Sequence, residues 1–156
     1  MSFEIDQRLK RLEELIVACA DKRLEELTAS YLCRLGSVQI CGNLERCIEL
    51  MLIARFENRS PKQIGSFLRQ YFKRDTNYDC ERILQLLHQF DTNWGHYFDE
   101  FVKINDNLKE SISSCYAVRN SVAHGGSQSL GPSILRQYYE ASKSIIIKIE
   151  EIVRSA

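Results

Sequence analysis

The sequence predicts an all-α fold, a helical bundle that forms a single domain over residues 1–156. Apolar residues recur along the chain at steps of three and four, which is the spacing of one helix face. No stretch alternates apolar and polar residues as a half-buried strand would. The chain contains only two prolines and seven glycines, so long helices meet few breakers. With 156 residues, of which 44% are apolar, it can bury a continuous core.

Two long helices are expected first, at residues 3–22 and 26–57, with a join near Asp21. The expected buried face of the first helix comprises Ile5, Leu9, Leu12, Ile16 and Cys19. The same spacing continues through Leu24, Leu27, Tyr31, Leu35 and Val38. Beyond two glycines, the stripe resumes with Leu44, Cys47, Ile48, Met51, Leu52 and Phe56.

Capping residues divide the middle of the chain. Ser60 and Pro61 predict a helix start, with serine as the N-cap and proline at the first helical position. Asn77 or Asp79 is expected to cap the next helix. An Asn-Trp-Gly sequence at residues 93–95 predicts a short break before a further helical segment. The expected buried faces comprise Ile64, Phe67, Leu68, Tyr71 and Phe72, then Ile83, Leu86, Leu87 and Phe90.

Glycines separate the last two helices. Asp106 or Asn107 is expected to open a helix that ends at residues 125–126, because the two glycines there accept the left-handed conformation that terminates helices. Residues 127–132 are expected to form a loop, and Ser133 is expected to begin the closing helix.

The charge balance gives no overall positive field that would indicate a polyanion partner, because cations and acids both number 21. The distribution is uneven, however. Residues 55–74 carry six cations and one acid, whereas residues 75–110 carry eight acids and three cations. A solvated helix face is one interpretation. A basic patch near an RNA site, with residues 69–74 as an auxiliary phosphate-binding surface, is the other.

The six cysteines include no C-x-x-C pair, which argues against structural zinc, and we expect them to pack as small hydrophobes. Glu4, Asp6 and Arg8 interrupt the apolar core that a signal peptide would need. The apolar stretches at residues 50–56 and 145–149 are far shorter than the roughly 20 residues that span a bilayer. These features predict a protein of the reducing cytoplasm that has no membrane contact.

Residues 111–126 do not have the pattern of a helix that only contributes to the core. On a helix with about 100° per residue, Arg119 falls within an apolar face. A guanidinium keeps its proton and therefore needs an anion, a polar interface or a ligand. Asn120 and His124 are four residues apart and neighbour each other at the rim of that face. Asn120 would then orient the imidazole or touch the same ligand.

An arginine, an asparagine and a histidine at one helix end suit RNA cleavage. RNA carries its own nucleophile, the 2′-OH, so no metal ion or cofactor is required. Histidine moves protons near neutral pH, and arginine supplies a donor fork for the phosphate. The expected products are a 2′,3′-cyclic phosphate and a 5′-OH, and DNA should resist. The structural alternative pairs Arg119 with an acid such as Glu45 or Glu49 and makes His124 a polar helix cap.

The segment from Arg119 to Gly125 resembles the R-x4-6-H signature of the HEPN superfamily, and its form R-N-x-x-A-H-G is similar to the RiboL-PSP branch. That branch is found among bacterial ribonuclease toxins and defence proteins. The resemblance implies a homodimer whose two motifs share one cleft. It also implies that Arg119 binds the phosphate, His124 transfers protons and Asn120 assists. Some members carry a tyrosine, two residues after the histidine, that a nucleotidyltransferase modifies; here Gly126 stands there.

Two functions remain open at this point. One is a metal-independent RNA endonuclease, a toxin or anti-phage effector controlled by a cognate antitoxin or regulatory protein. The other is a non-catalytic HEPN module that dimerises and docks a partner protein or binds a nucleotide. Loss of the His124 imidazole separates them, because only the first function needs it.

Two weaker candidates lie outside the motif. His88 and His96, with Asp91 and Asp99, suggest a metal site, but their spacing crosses the expected break at residues 93–95. Five aromatic residues either stack on bases or pack in the core: Tyr71, Phe72, Trp94, Tyr97 and Phe98.

Overall fold

The computed structural model describes residues 2–57, 60–73, 77–126 and 128–155. Within these ranges the chain forms seven α-helices and no strand. They are α1 (Phe3–Cys19), α2 (Glu26–Glu57), α3 (Lys62–Phe72), α4 (Cys80–Phe90), α5 (Thr92–Ile104), α6 (Asp106–Ala123) and α7 (Pro132–Ser155). The predicted all-α bundle with two long N-terminal helices is confirmed. In the described ranges, no helix combines the length and the apolar character needed to cross a membrane.

The two longest helices, α2 and α7, pack along each other and form the centre of the bundle. Helices α1 and α6 each lie against both of them, and α4 packs on α5 and α6. Helix α3 packs on α2 and also contacts α4, where the Tyr71 hydroxyl donates to Gln89 and the Phe72 ring stacks on Phe90. The central contact depends on Gly36, because a β-carbon there would lie 2.8 Å from Cδ2 of Leu135. The missing side chain lets the Leu135 methyl groups rest on the α2 backbone.

The prediction for the first half of α2 is wrong. Leu27 and Tyr31 are each 58% exposed and Leu35 is 48% exposed, although all three were expected in the core. The helix instead buries its smaller side chains, because these permit the close approach of α6 and α7. The buried residues of this half are Cys33, Gly36, Ser37, Ile40 and Cys41. The same error occurs in α3, where Ile64 and Phe67 face outward.

Several helix ends differ from the predicted ones. Helix α1 ends at Cys19, before the Asp21 carboxylate accepts the Arg23 backbone N–H at 2.9 Å in a turn. Pro61 occupies the N-cap position of α3 rather than its first turn, and no side chain caps that helix. Asp79, not Asn77, caps α4. Helix α6 begins at Asp106, one of the two predicted positions, with Asn105 as its N-cap. Helix α7 begins at Pro132 rather than Ser133.

The predicted break at residues 93–95 does not exist, because α5 begins at Thr92 and runs through it. The carboxylate of Asp91 accepts the backbone N–H of Asn93 at 2.7 Å and that of Trp94 at 3.4 Å, so the helix restarts directly after α4. Gly95 marks a close helix contact, since a β-carbon there would lie 2.3 Å from the His88 ring.

The charged stretches at residues 55–74 and 75–110 and the loop at residues 127–132 each include residues outside the described ranges, among them Arg59, Arg74, Asp75 and Ser127.

All six cysteines are buried and unpaired, as their positions in apolar stripes predict. Burial raises the pKa of the Cys47 and Cys80 thiols to about 11. These groups therefore stay protonated in the folded chain at pH values where the unfolded chain releases their protons.

We expect the free energy of unfolding, measured by denaturant titration in reducing buffer, to fall as the pH rises from 9 to 11. Each buried thiol holds its proton only in the folded state across this interval, so each lowers stability by up to about 1 kcal/mol per pH unit. The variant Cys47→Ala should be less stable at neutral pH but should show a smaller slope. An unchanged slope in that variant contradicts the assignment.

Candidate functional site

The C-terminal end of α6 carries the three residues that the sequence singles out: Arg119, Asn120 and His124. Helix α6 is anchored by Cys115, whose sulfur lies 3.6 Å from that of Cys41 and 3.7 Å from the backbone oxygen of Ser37 on α2. This close sulfur contact fixes how far the last two turns of α6 stand from α2.

The half-buried guanidinium of Arg119 is held by two amide oxygens. Its Nη1 donates to Oδ1 of Asn77 at 2.8 Å and to Oδ1 of Asn120 at 3.1 Å. Both acceptors are neutral, and no carboxylate of the described chain pairs with this guanidinium. Arg119 therefore has a fixed position and forms no direct ion pair within the described residues, so its guanidinium is able to bind an anion.

The structural alternative had assigned Glu45 or Glu49 to Arg119, and neither carboxylate pairs with it. Glu45 Oε1 accepts the hydroxyl of Tyr116 at 3.1 Å and the backbone N–H of Asn77 at 3.3 Å. Glu49 pairs with Arg46 at 3.1 Å.

A buried tyrosine on α6 joins this network one turn before Arg119. The hydroxyl of Tyr116 accepts the backbone N–H of Tyr78 at 2.9 Å while it donates to Glu45. Burial, and next the charge of Glu45, raises the pKa of Tyr116 far above its usual range, so the hydroxyl remains a donor. Sequence reasoning missed Tyr116 and the role of Asn77. Neither carries a local signal for a contact that joins α2, α6 and the segment before α4.

His124 occupies the C-cap position of α6 in a Schellman motif. The N–H of Gly126 donates to the backbone oxygen of Ser121 at 2.8 Å, and the N–H of Gly125 donates to that of Val122 at 3.2 Å. Gly125 has φ +75°, the left-handed conformation predicted for the helix end. This part of the sequence prediction is confirmed.

Arg119 and His124 do not touch. Five residues along a helix separate them by about 140° and about 7.5 Å of rise. The imidazole is exposed, and no hydrogen bond to the described residues holds it. Asn120 accepts from Arg119, so its amide oxygen is placed on the guanidinium rather than on the imidazole. One chain thus offers a guanidinium that is held in place, at Arg119, and an imidazole that can turn toward a ligand, at His124.

The weaker candidates lie elsewhere. His96 Nε2 lies 3.3 Å from Glu100, and His88 is exposed on α4. In the described part of the chain, no three His, Cys, Asp or Glu side chains converge as metal ligands would. Three of the five candidate aromatic residues belong to the core, namely Phe72, Trp94 and Phe98.

The exposed cations of α3 do not stand entirely free. Arg69 pairs with Glu57 of α2, while Lys62 and Lys73 are exposed. Both interpretations of the basic stretch are compatible with this arrangement.

In a comparison with protein families, a family model described as RiboL-PSP-HEPN matches residues 4–155. The chain belongs to the RiboL-PSP-HEPN family. Comparisons with curated proteins and with solved structures found no match. The family assignment inferred from the motif is therefore confirmed, and the helical bundle is a HEPN domain.

The way in which α6 ends explains why glycine stands at position 126. A β-carbon there would lie 2.1 Å from Oγ and 2.9 Å from the backbone oxygen of Ser121. A tyrosine at this position, as some HEPN proteins carry, would require a different end of α6.

We expect Gly125→Ala to lower the free energy of unfolding by about 1 kcal/mol, because an L side chain is strained at positive φ. Gly126→Ala should cost at least as much, since its methyl group collides with Ser121. Gly131→Ala is the matched control, because a β-carbon there meets no atom within 4 Å. Equal stability of all three variants in chemical denaturation would show that the Schellman motif does not hold this helix end.

Proposed function

We propose that this HEPN protein is a metal-independent RNA endonuclease. The observation that carries the proposal is the guanidinium of Arg119, which neutral oxygens hold in place, at the end of the helix that also presents the exposed imidazole of His124. Attack on a phosphodiester needs a charged donor for the phosphate and a titratable group for proton transfer, and this helix end carries both.

The reaction requires no group from outside the RNA and the protein. The 2′-oxygen forms a bond to the adjacent phosphorus while the bond from phosphorus to the 5′-oxygen breaks. The 2′-OH gives up its proton and the departing 5′-oxygen takes up a proton, so the reaction moves one proton from the 2′-oxygen to the 5′-oxygen. Arg119 stabilises the charge on the phosphate oxygens, His124 carries out proton transfer, and Asn120 holds the guanidinium. The products are a 2′,3′-cyclic phosphate and a 5′-OH.

We expect the purified protein to cleave mixed cellular RNA in excess EDTA and to leave cyclic-phosphate ends. His124→Ala should reduce the rate at least about 100-fold, which is the usual loss when a proton-transfer group is removed. His124 is exposed, so folding should be retained.

The matched control is His96→Ala, which removes an equally exposed histidine from α5 and should cleave like the parent. DNA of the same sequence should remain intact because it lacks the 2′-OH. Equal cleavage by the parent and His124→Ala would exclude this histidine from the chemistry.

A homodimer is the assembly that best fits this proposal. Leu27, Tyr31 and Leu35 form an exposed apolar stripe on α2, an unusual feature for a solvated helix. Leu27 and Glu45 are 18 residues apart, which is about five turns and about 27 Å, so they point in the same direction. Tyr31 and Leu35 lie about 40° and about 80° further around the helix, so the stripe occupies the sector of α2 next to the one that carries Glu45. We propose that a second copy covers this stripe about a two-fold axis, so that both subunits contribute Arg119 and His124 to one cleft.

We expect Leu35→Glu to convert the dimer to a monomer in analytical ultracentrifugation and to reduce cleavage with it. A charge buried within an apolar interface has no partner there. Ile147→Glu, on the exposed side of α7, is the matched control and should leave the dimer intact. A parent protein that stays monomeric at tens of micromolar, or a dimer that survives Leu35→Glu, contradicts this assembly.

The family resemblance further favours a cytoplasmic toxin or anti-phage effector that an antitoxin or regulatory protein controls. Six free thiols suit a reducing compartment.

The second candidate is a non-catalytic HEPN module that binds RNA or a nucleotide and docks a partner. One observation favours it: no described residue orients the His124 imidazole. Binding without cleavage by both the parent and His124→Ala would support this candidate.

A further inference from the structure

The strongest unassigned feature outside the motif is Asn77, which lies two residues before the Asp79 cap of α4. Its φ of +73° is the only positive value at a non-glycine position in the described chain. Asparagine is among the few residues that tolerate this left-handed conformation. A non-glycine residue keeps this left-handed conformation where contacts with the surrounding structure hold it.

Two neighbouring elements fix the backbone of this segment. The N–H of Asn77 donates to Glu45 on α2, and the N–H of Tyr78 donates to the hydroxyl of Tyr116 on α6. Tyr116 in turn donates to the same oxygen of Glu45. The side chain of Tyr78 is fully buried, which anchors the segment further. Asn77 is therefore locked to both helices that frame Arg119.

The amide of Asn77 is directed at the guanidinium. Its Oδ1 accepts from Nη1 of Arg119 at 2.8 Å, the shorter of the two bonds that this nitrogen makes. An amide oxygen orients a guanidinium without cancelling its charge, whereas a carboxylate in the same place would form an ion pair and compete with a phosphate.

We propose that Asn77 is a positioning residue that holds Arg119 in place for the phosphate of RNA and leaves the guanidinium charge available to it. This inference rests on the proposed function, since it assigns Arg119 to the phosphate. Asn77 acts through Arg119, and the neutrality of its side chain is as important as its geometry.

Two substitutions separate positioning from folding. Asparagine and aspartate have the same shape and both tolerate positive φ, so Asn77→Asp should fold and should pair with Arg119. Asn77→Gly keeps the backbone conformation without strain and removes the amide. We expect both variants to melt within about 4 °C of the parent.

The binding measurement uses a short RNA with a 2′-O-methyl group at the cleavage site, which cannot be cut. Asn77→Asp should weaken its affinity at least about tenfold, because the guanidinium charge is neutralised. The control Asn107→Asp makes the same charge change at an exposed position on α6 and should bind like the parent. With cleavable RNA, Asn77→Gly should lower kcat about tenfold with a smaller change in KM, because Arg119 is no longer aligned.

A second measurement does not depend on RNA. Nitrogen-15 NMR of the Arg119 side chain should show restricted rotation of the guanidinium in the parent and faster rotation in Asn77→Gly. Restricted rotation that persists in Asn77→Gly overturns the inference, whether or not the protein cuts RNA.

Arg119→Ala, measured in parallel, separates the two failures. If Arg119→Ala binds and cuts RNA like the parent, the proposed function of this site is wrong. If Arg119→Ala loses both RNA binding and RNA cleavage while the two Asn77 variants bind and cut RNA like the parent, the proposed function stands. The positioning role of Asn77 is then wrong.

Discussion

The close approach of helices on the small-residue face of α2 determines the rest of this structure. Gly36 lets Leu135 of α7 rest on the α2 backbone, and Ser37 with Cys41 admits Cys115 of α6 to sulfur-contact distance. Larger side chains at these positions would push both helices outward. Because this face of α2 packs closely against α6 and α7, the larger apolar residues Leu27, Tyr31 and Leu35 lie on the opposite, exposed side of the helix. One constraint thus produces both the compact core and the exposed stripe.

The same approach brings the polar network of the site together. With α6 held close, Tyr116 reaches Glu45 and Arg119 reaches Asn77. The carboxylate of Glu45 is satisfied by one hydroxyl and one backbone N–H, so it need not pair with the guanidinium. Arg119 is oriented by neutral oxygens instead. On the proposed function, these neutral contacts leave the guanidinium able to bind the phosphate of RNA.

Local rules predicted the features that local interactions decide. The helical class, the face of α1 and the glycine cap after His124 follow from spacing and from the conformational freedom of glycine. The outward face of α2 could not be predicted, because periodicity counts apolar residues and does not reveal which face a neighbouring helix can approach. The false break at residues 93–95 has a similar origin, since Gly95 serves a close contact with His88 rather than a turn. The Asn77 contact joins residues 42 positions apart and has no local signature.

Within one chain, the side chain of Arg119 is held in place but that of His124 is not. This difference favours the proposed cleft shared by two subunits. Arg119 is fixed by two hydrogen bonds, whereas His124 has the backbone of a helix cap around it and an imidazole that no described residue orients. General acid–base chemistry requires a proton-transfer group held within hydrogen-bond reach of its proton. On the proposed function, that restraint comes from the RNA or from a second copy. In the proposed homodimer, a two-fold contact through the apolar stripe on α2 would supply the missing restraint and make cleavage depend on assembly.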